Sequence, residues 1–158
     1  MPEHEIMSHS QIKMTKILIV DDSDTFRQTL RNLLGSRFHL MTFGEARDGK
    51  EALQFVDAYH PDLIFMDIKL PGENGLEITK KIRSSHCQAI IIIFTSHDLP
   101  EYRHAASVNG ADYFMSKGSS TTEGVFALVE SIVSELAQAK MAETDGTRLK
   151  DFHELSMA

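Results

Sequence analysis

The chain has 158 residues, a formal net charge of −7, a hydrophobic fraction of 42% and a single cysteine, Cys87. The length fits one ordinary domain, and the acidic balance disfavours a nucleic-acid-binding surface, which would need clustered Lys and Arg. One cysteine excludes an intrachain disulfide and any CxxC motif. The first residues lack the apolar stretch of a signal peptide, and the longest apolar run, AIIIIF, is too short to cross a membrane. These features predict a soluble, cytoplasmic protein.

Short apolar runs set the predicted strands. Residues 1–14 are polar and show no periodicity, so we expect a flexible N-terminal arm there. Beyond them, five runs are predicted to form strands, at residues 17–20, 38–43, 63–66, 89–94 and 113–115. Three of these runs are continuously apolar, as is typical of strands that are buried on both faces of a sheet.

Helical patterns lie between the runs. The first helix is predicted over residues 24–34, with Gly35 as its C-terminal cap. Its apolar positions, which share one face, are Phe26, Leu30, Leu33 and Leu34. The second helix is predicted to begin after Asp48 and Gly49, where Asp48 and Glu51 have the spacing of an N-terminal capping pair.

Three further helices are predicted in the second half of the chain. The third covers residues 75–84, and the fourth begins at Pro100, a residue suited to a first helical turn, and stops before Gly110. The fifth is preceded by a predicted capping box of Ser120 and Glu123. Its apolar stripe follows helical spacing and is formed by Val125, Leu128, Val129, Ile132, Val133 and Leu136.

The alternation of strands and helices defines the expected fold. It predicts a doubly wound α/β domain with a five-stranded parallel sheet and helices on both faces. We expect the (βα)5 flavodoxin-like order 2-1-3-4-5, in which strands one and three are neighbours. The domain is predicted over residues 15–138. For residues 139–158 three readings stay open: a disordered tail, a linker from a longer protein, or a short docking helix.

Polar residues follow the predicted strands at the edge where ligands bind in such sheets. Asp21 and Asp22 follow the first strand in ILIVDDSD, and Asp67 follows the third in LIFMD. Thr95 follows the fourth strand and Lys117 the fifth. Taken singly, such residues are ordinary, since an Asp after a strand is commonly a turn residue. Their joint placement at strands that meet predicts one shared site.

Carboxylates gathered this closely need a counter-charge, because their mutual repulsion disfavours ionisation. Mg²⁺ is the natural candidate, since it prefers oxygen ligands and is bound with few carboxylates together with phosphate. An Asp can act as a nucleophile that forms an aspartyl phosphate. A Lys ammonium can pair with phosphate oxygens, and a Thr hydroxyl can donate a hydrogen bond to them. The pattern therefore favours phosphoryl chemistry at a carboxylate.

The segments ILIVDDSD, LIFMDIKLPGENGLE, IIIFTSHD and YFMSK, in this order, resemble the response regulator receiver domain of two-component signalling. The resemblance implies that Asp67 accepts a phosphoryl group from a sensor histidine kinase or a histidine phosphotransfer protein. It also implies that Mg²⁺ is held by Asp21, Asp22 and Asp67, with the backbone carbonyl of Lys69 as a further ligand.

The resemblance assigns the remaining residues as follows. Thr95 corresponds to the switch hydroxyl, Lys117 to the lysine that pairs with phosphate, and Phe114 to an aromatic that changes rotamer with Thr95. Lys69 and His97 stand where they would border the path of hydrolytic water, and we expect them to tune the lifetime of the phosphoryl group. Gly118 departs from the family pattern, in which a proline often follows the lysine.

The expected output is a protein contact. In the family, phosphorylation changes a surface formed by helix 4, strand 5 and helix 5, and we expect a downstream protein target there, with a phosphorylation-dependent homodimer as a further possibility. We expect no enzymatic turnover beyond slow loss of the phosphoryl group. Two alternatives stay open: a receiver-fold binding module that never takes phosphate, and a Mg²⁺-dependent phosphohydrolase of the haloacid dehalogenase type, whose DxD motif Asp22-Ser23-Asp24 would match.

Overall fold

The computed structural model describes residues 14–156, with side chains described for residues 14–143. In this part of the chain, five strands and five helices alternate strictly. Residues 1–13 of the predicted arm lie outside the described residues. By its contacts the described part of the chain divides into two compact units, with the boundary between Ser120 and Thr121.

The first unit contains the sheet. Its strands are all parallel and stand in the order β2-β1-β3-β4-β5, which confirms the predicted doubly wound fold. They are β1 (Thr15–Val20), β2 (Met41–Ala46), β3 (Leu63–Met66), β4 (Ile90–Thr95) and β5 (Tyr113–Ser116). Because β1 and β3 are hydrogen-bonded neighbours, the residues that follow them lie at the same edge of the sheet.

The first four described helices connect successive strands, as a parallel sheet requires, and the fifth follows the last strand. They are α1 (Asp24–Arg37), α2 (Gly49–Tyr59), α3 (Gly75–Ser84), α4 (Pro100–Val108) and, in the second unit, α5 (Thr122–Ser156). The Asp48 carboxylate accepts a hydrogen bond from the Glu51 amide at 2.9 Å, so the predicted cap of α2 is confirmed. Pro100 opens α4, as predicted. None of the described helices combines the length and apolar character needed to cross a membrane.

The predicted bounds of the second strand were wrong. Helix α1 continues through Gly35 to Arg37, and the Phe38 amide caps it by donating to the Leu34 carbonyl at 2.8 Å. The strand therefore begins at Met41 and extends to Ala46, because β1 offers it a pairing partner at each of these positions. The apolar run of residues 38–43 thus combines a helix end with the start of a strand.

The predicted capping box of α5 was also wrong, by one residue. The Ser120 amide donates to the Ser116 carbonyl at 2.9 Å and closes the turn after β5. Thr121 caps the helix, and its hydroxyl accepts the Gly124 amide at 3.0 Å. Because the turn uses Ser120, the capping role falls to the next residue that carries a hydroxyl.

Helix α5 is described by itself. It is 35 residues long, and it continues past residue 138 to Ser156 without a break. Val125, Val129 and Ile132 are buried, at the spacing of the predicted apolar stripe. Residues 139–156 are therefore helical in this structure.

The core of the first unit lies on both faces of the sheet, because successive side chains of a strand point to opposite faces. Helices α2, α3 and α4 cover one face and pack against a cluster that includes Leu18, Val20, Ile64, Met66, Ile91 and Ile93. The other face carries Phe65 and Phe94, and Phe26 of α1 packs on Phe94 there. The free Cys87 is half-buried against the first cluster.

Candidate functional site

Three carboxylates meet at the carboxyl edge of the sheet. Asp21 follows β1 and Asp67 follows β3, and the Asp67 amide donates to the Val20 carbonyl at 2.9 Å, which fixes the two strand ends side by side. One carboxylate oxygen from each of Asp21, Asp22 and Asp67 lies within 4.8 Å of the others. Asp21 and Asp67 are only 1% and 8% exposed, whereas Asp22 faces solvent. The acids that the sequence places at two strand ends therefore form one group.

Lys117 supplies a positive charge to this group. Its ammonium donates to Asp21 Oδ2 at 2.5 Å and to Asp67 Oδ2 at 3.3 Å. The Lys117 backbone is held at the end of β5 by a hydrogen bond of 2.8 Å to the Thr95 carbonyl. The ammonium pairs with two of the three carboxylates, so the group keeps an excess of negative charge.

The Asp67 carboxylate lies among donors. Oδ1 accepts the Ile68 amide at 2.8 Å. Burial nevertheless raises the pKa of the Asp67 carboxyl, and the charge of Asp21 acts in the same direction, while Lys117 and Thr95 oppose them. A buried carboxylate with a raised pKa is stabilised by any further cation placed beside it.

The donor set of this group suits a hard divalent cation. Three carboxylate oxygens within reach of one another match the ligands that Mg²⁺ takes. The solvent-facing Asp22 leaves one side of the group open to water, which Mg²⁺ retains in such sites. Asp21 is engaged at both of its carboxylate oxygens, because Oδ1 accepts the Ser23 amide and Oδ2 accepts Lys117. The residues present therefore fit a magnesium ion.

Thr95 ends β4 at the same edge of the sheet as the acids, and His97 follows it by two residues. Thr95 is fully buried at the end of β4, and its hydroxyl oxygen accepts the His97 amide at 3.3 Å. The His97 ring meets Tyr102 of α4 edge to face at 6.3 Å between centroids. The Lys69 side chain is exposed just after Asp67. His97 lies in the loop after β4 and Lys69 in the loop after β3.

Phe114 lies farther along the sheet, on β5, in register with Ile93 of β4. It packs against the core beneath α2, α3 and α4. The guanidinium of Arg103 lies 4.6 Å from the centre of its ring, and the same guanidinium makes two hydrogen bonds to Asp98. Phe114 is thus linked through Arg103 to the loop that follows Thr95.

Gly75 allows the loop after Asp67 to close. Its amide donates to the Ile68 carbonyl at 2.7 Å, and a Cβ placed on Gly75 would overlap the carbonyl oxygen of Asp67. The Asn74 side chain then caps α3 by accepting the Glu77 amide at 3.0 Å. The backbone of Asp67 is therefore held by a contact that only glycine permits.

Two residues of α1 that the sequence did not assign to the site contact it. The ring of Phe26 lies 3.8 Å from Lys117 Nζ. Arg27 is buried, donates to the Asp21 carbonyl at 2.5 Å, and pairs with Asp24 and Glu45. The spacing of Asp24 and Arg27, three residues apart on a helix beside the acidic loop, was the one sequence signal for this pairing.

Comparison with known proteins agrees with the fold. The family model of the response regulator receiver domain matches residues 17–129. The chain therefore belongs to the response regulator receiver domain family.

Several relatives show how far the similarity extends. The response regulator GacA of Pseudomonas syringae pv. syringae is 33% identical over 73% of this chain and 54% of its own length. The chemotaxis protein CheY of Halobacterium salinarum is 37% identical over 65% of this chain and 83% of its own length. A LuxR-family two-component response regulator from Aurantimonas, solved by crystallography, superposes with a TM-score of 0.71 at 31% identity, over 78% of this chain and 87% of that one. The chain spans little more than half the length of the first curated relatives that it matches.

Proposed function

We propose that this receiver domain is phosphorylated on Asp67 by a histidine kinase or a phosphotransfer protein, and that phosphorylation changes its affinity for another protein. The observation that carries the proposal is the placement of Asp67, buried between a group of acids and the ammonium of Lys117 at the ends of adjacent strands. A carboxylate in this setting is held in place at the edge of the sheet and is flanked by donors suited to phosphate.

The proposed reaction transfers one phosphoryl group from a histidine to Asp67. A carboxylate oxygen of Asp67 attacks the phosphorus of a phosphohistidine, the new O–P bond forms, and the P–N bond breaks with its electron pair remaining on the imidazole nitrogen. Lys117 and Thr95 stand where they can donate to the phosphoryl oxygens. Slow hydrolysis reverses the modification: water attacks phosphorus, the O–P bond breaks, and inorganic phosphate leaves. The domain turns over no other substrate in this proposal.

Asp21, Asp22 and Asp67 would hold Mg²⁺, with the Lys69 carbonyl as the expected backbone ligand. When bound, the ion neutralises charge that gathers on a transferring phosphoryl group. The protein's own part is positional: β1 and β3 fix the buried acids, and the Ile68 amide fixes Asp67 Oδ1.

The proposed output surface includes α4 and β5. Phosphorylation adds negative charge next to Thr95, which is paired in register with Ser116 of β5, so a change at Asp67 reaches the neighbouring strand through one residue. Leu99 and Val108, at the two ends of α4, are 53% and 70% exposed and provide apolar surface for a protein partner. A phosphorylation-dependent homodimer and a cytoplasmic location belong to the same proposal.

Intact-mass measurement with Mg²⁺ and acetyl phosphate tests this proposal. We expect one phosphoryl adduct on the wild type, none after EDTA, and none on Asp67→Asn. Asp57→Asn, which changes an exposed carboxylate on α2, is the matched control and should be modified like the wild type. A wild type that binds Mg²⁺ yet takes no phosphoryl group would contradict the proposal and favour a binding module that works without phosphate.

A further inference from the structure

We propose that Phe26 is a positioning residue for Lys117, and that its ring face holds the ammonium between Asp21 and Asp67. The inference rests on the proposed phosphorylation of Asp67 and goes beyond it by naming a residue that controls the lysine. Lys117 Nζ lies 3.8 Å from the centre of the Phe26 ring. This distance is well inside the ~6 Å within which a cation and an aromatic face attract each other.

The position of the ring is fixed by the same segment that carries the acids. Ser23, directly after Asp22, caps α1, and its hydroxyl accepts the Phe26 amide at 3.2 Å. Phe26 therefore leaves the first turn of α1 at the edge where the carboxylates lie. Its ring meets Phe94 edge to face at 5.5 Å between centroids, and Phe94 directly precedes Thr95. The ring is thus braced by the strand that ends in the predicted switch hydroxyl.

The ammonium needs such a support, because its hydrogen bonds to the two acids are unequal. It lies 2.5 Å from Asp21 Oδ2 but 3.3 Å from Asp67 Oδ2, and the Lys117 side chain is 20% exposed. A lysine stem is flexible, and its head is strongly hydrated. Without the ring, we expect the ammonium to stay on Asp21 or to turn toward water.

The contact between Lys117 and the Phe26 ring is also compatible with the movement of the ammonium that phosphorylation requires. To pair with a phosphoryl group on Asp67, the ammonium must move away from Asp21 and toward the acceptor. Attraction to a ring face is electrostatic and less directional than a hydrogen bond, so it can act at both positions of the ammonium. Phe26 would then lower the barrier by keeping Lys117 over the gap between the two acids.

Two substitutions of Phe26 separate its ring face from its volume. Phe26→Leu keeps an apolar side chain of similar reach but removes the aromatic face, and we expect it to slow phosphorylation by acetyl phosphate about two- to tenfold at saturating Mg²⁺. Phe26→Tyr keeps the face and should restore most of the rate. Thermal unfolding and Mg²⁺ affinity, measured on each variant, show whether either substitution has damaged the fold or the acidic group.

A spectroscopic readout reports on the contact itself. The aromatic ring current should shift the side-chain NMR signals of Lys117 upfield in the wild type and in Phe26→Tyr, and this shift should vanish in Phe26→Leu. A change that only loosened the fold would not remove the shift selectively from Lys117 while leaving other residues unaltered.

The outcomes distinguish the inference from the proposed function. A wild type that takes no phosphoryl group overturns the proposed function, and the role of Phe26 in phosphorylation is lost with it. A phosphorylated wild type with an equally fast Phe26→Leu overturns the inference alone. Equal slowing in Phe26→Leu and Phe26→Tyr also overturns it, and so does a missing ring-current shift in the wild type. Either result would show that the aromatic face of Phe26 does not position Lys117.

Discussion

At the scale of single residues, Asp67 combines burial with like-charged neighbours. The residue is 8% exposed, and burial together with the charge of Asp21 raises the pKa of its carboxyl despite the nearby ammonium of Lys117. Without a metal ion, the ionised form of Asp67 therefore lowers the free energy of unfolding. The same unfavourable negative charge favours the binding of a cation beside Asp67.

We predict that Asp67→Asn is more stable than the wild type in EDTA at neutral pH, by about 1–2 kcal/mol, because it removes an unfavourable buried charge. Between the ordinary aspartate pKa of 3.8 and its raised native value, the native state binds more protons than the unfolded state. The contribution of Asp67 to wild-type stability therefore falls as pH rises through this window, and the advantage of the variant disappears below it.

Urea unfolding of the wild type, Asp67→Asn and the control Asp57→Asn across the acid-to-neutral range checks this prediction. Saturating Mg²⁺ should stabilise the wild type more than Asp67→Asn, since the variant loses a ligand. A wild type that is the more stable protein in EDTA at neutral pH would show that the site does not strain Asp67 as described.

Lys69 lies two residues after Asp67 and His97 lies two residues after Thr95, and both are predicted to set the lifetime of the phosphoryl group. The Lys69 side chain is exposed, and the His97 ring is packed beside Tyr102. Truncation opens the approach of water, so we expect Lys69→Ala and His97→Ala each to raise the dephosphorylation rate about threefold or more, or roughly 0.7 kcal/mol of barrier. Phosphate release is the measurement, and Lys50→Ala on α2 is the control. Unchanged rates in both variants would end this hypothesis.

At the scale of helices and strands, Gly35 was predicted to cap the first helix, but the observed helix continues through it. A glycine that caps a helix in the left-handed conformation resists substitution, whereas a glycine inside a helix gains stability on replacement by alanine. The structure places Gly35 inside α1, where a Cβ would meet one atom at an ordinary distance of 4.0 Å.

We therefore predict that Gly35→Ala stabilises the protein by about 0.5–1 kcal/mol. Thermal or urea unfolding measures the change. A destabilisation of similar size would instead support a helix that stops near residue 34 and would call the observed start of β2 into question.

The loop between β3 and α3 makes a stronger demand on glycine. A Cβ on Gly75 overlaps the Asp67 carbonyl, so Gly75→Ala must move the backbone of the acceptor; we expect a loss of about 2–4 kcal/mol and slower phosphorylation. Gly72 is the comparison, because its φ is +81° but its Cβ direction is open. Gly72→Ala should lose about 1–2 kcal/mol from backbone strain and keep its phosphorylation rate. Equal phosphorylation rates in both variants would contradict the role assigned to Gly75.

The elements also show which structural features the sequence could predict. Continuous apolar runs and capping pairs such as Asp48 and Glu51 depend on local chemistry, and the structure contains them where expected. The start of β2 depends on pairing with β1, and the cap of α5 depends on a turn that uses Ser120. The first feature depends on a strand that is distant in the sequence, and the second depends on which contact the Ser120 amide makes. A local sequence pattern contains neither kind of information.

At the scale of the whole molecule, the site follows from topology. Once the strand order is known, acids after β1 and β3 must lie together, so Asp21 and Asp67 could be grouped from the sequence alone. Phe26 could not be assigned in this way, because its spacing on α1 is the same as that of core residues. Only the three-dimensional structure shows that its ring faces Lys117 instead of being simply buried.

The measurement that tests the central claim most directly is chemical trapping of the acyl phosphate. The protein is treated with acetyl phosphate and Mg²⁺ and then reduced with borohydride, which converts a phosphorylated aspartate to homoserine that tandem mass spectrometry can locate. We predict conversion at residue 67 alone, and none in EDTA. Conversion at Asp22 would contradict this result and support phosphohydrolase-type chemistry at the Asp22-Ser23-Asp24 motif, and no conversion at all would leave a receiver fold that acts without phosphate.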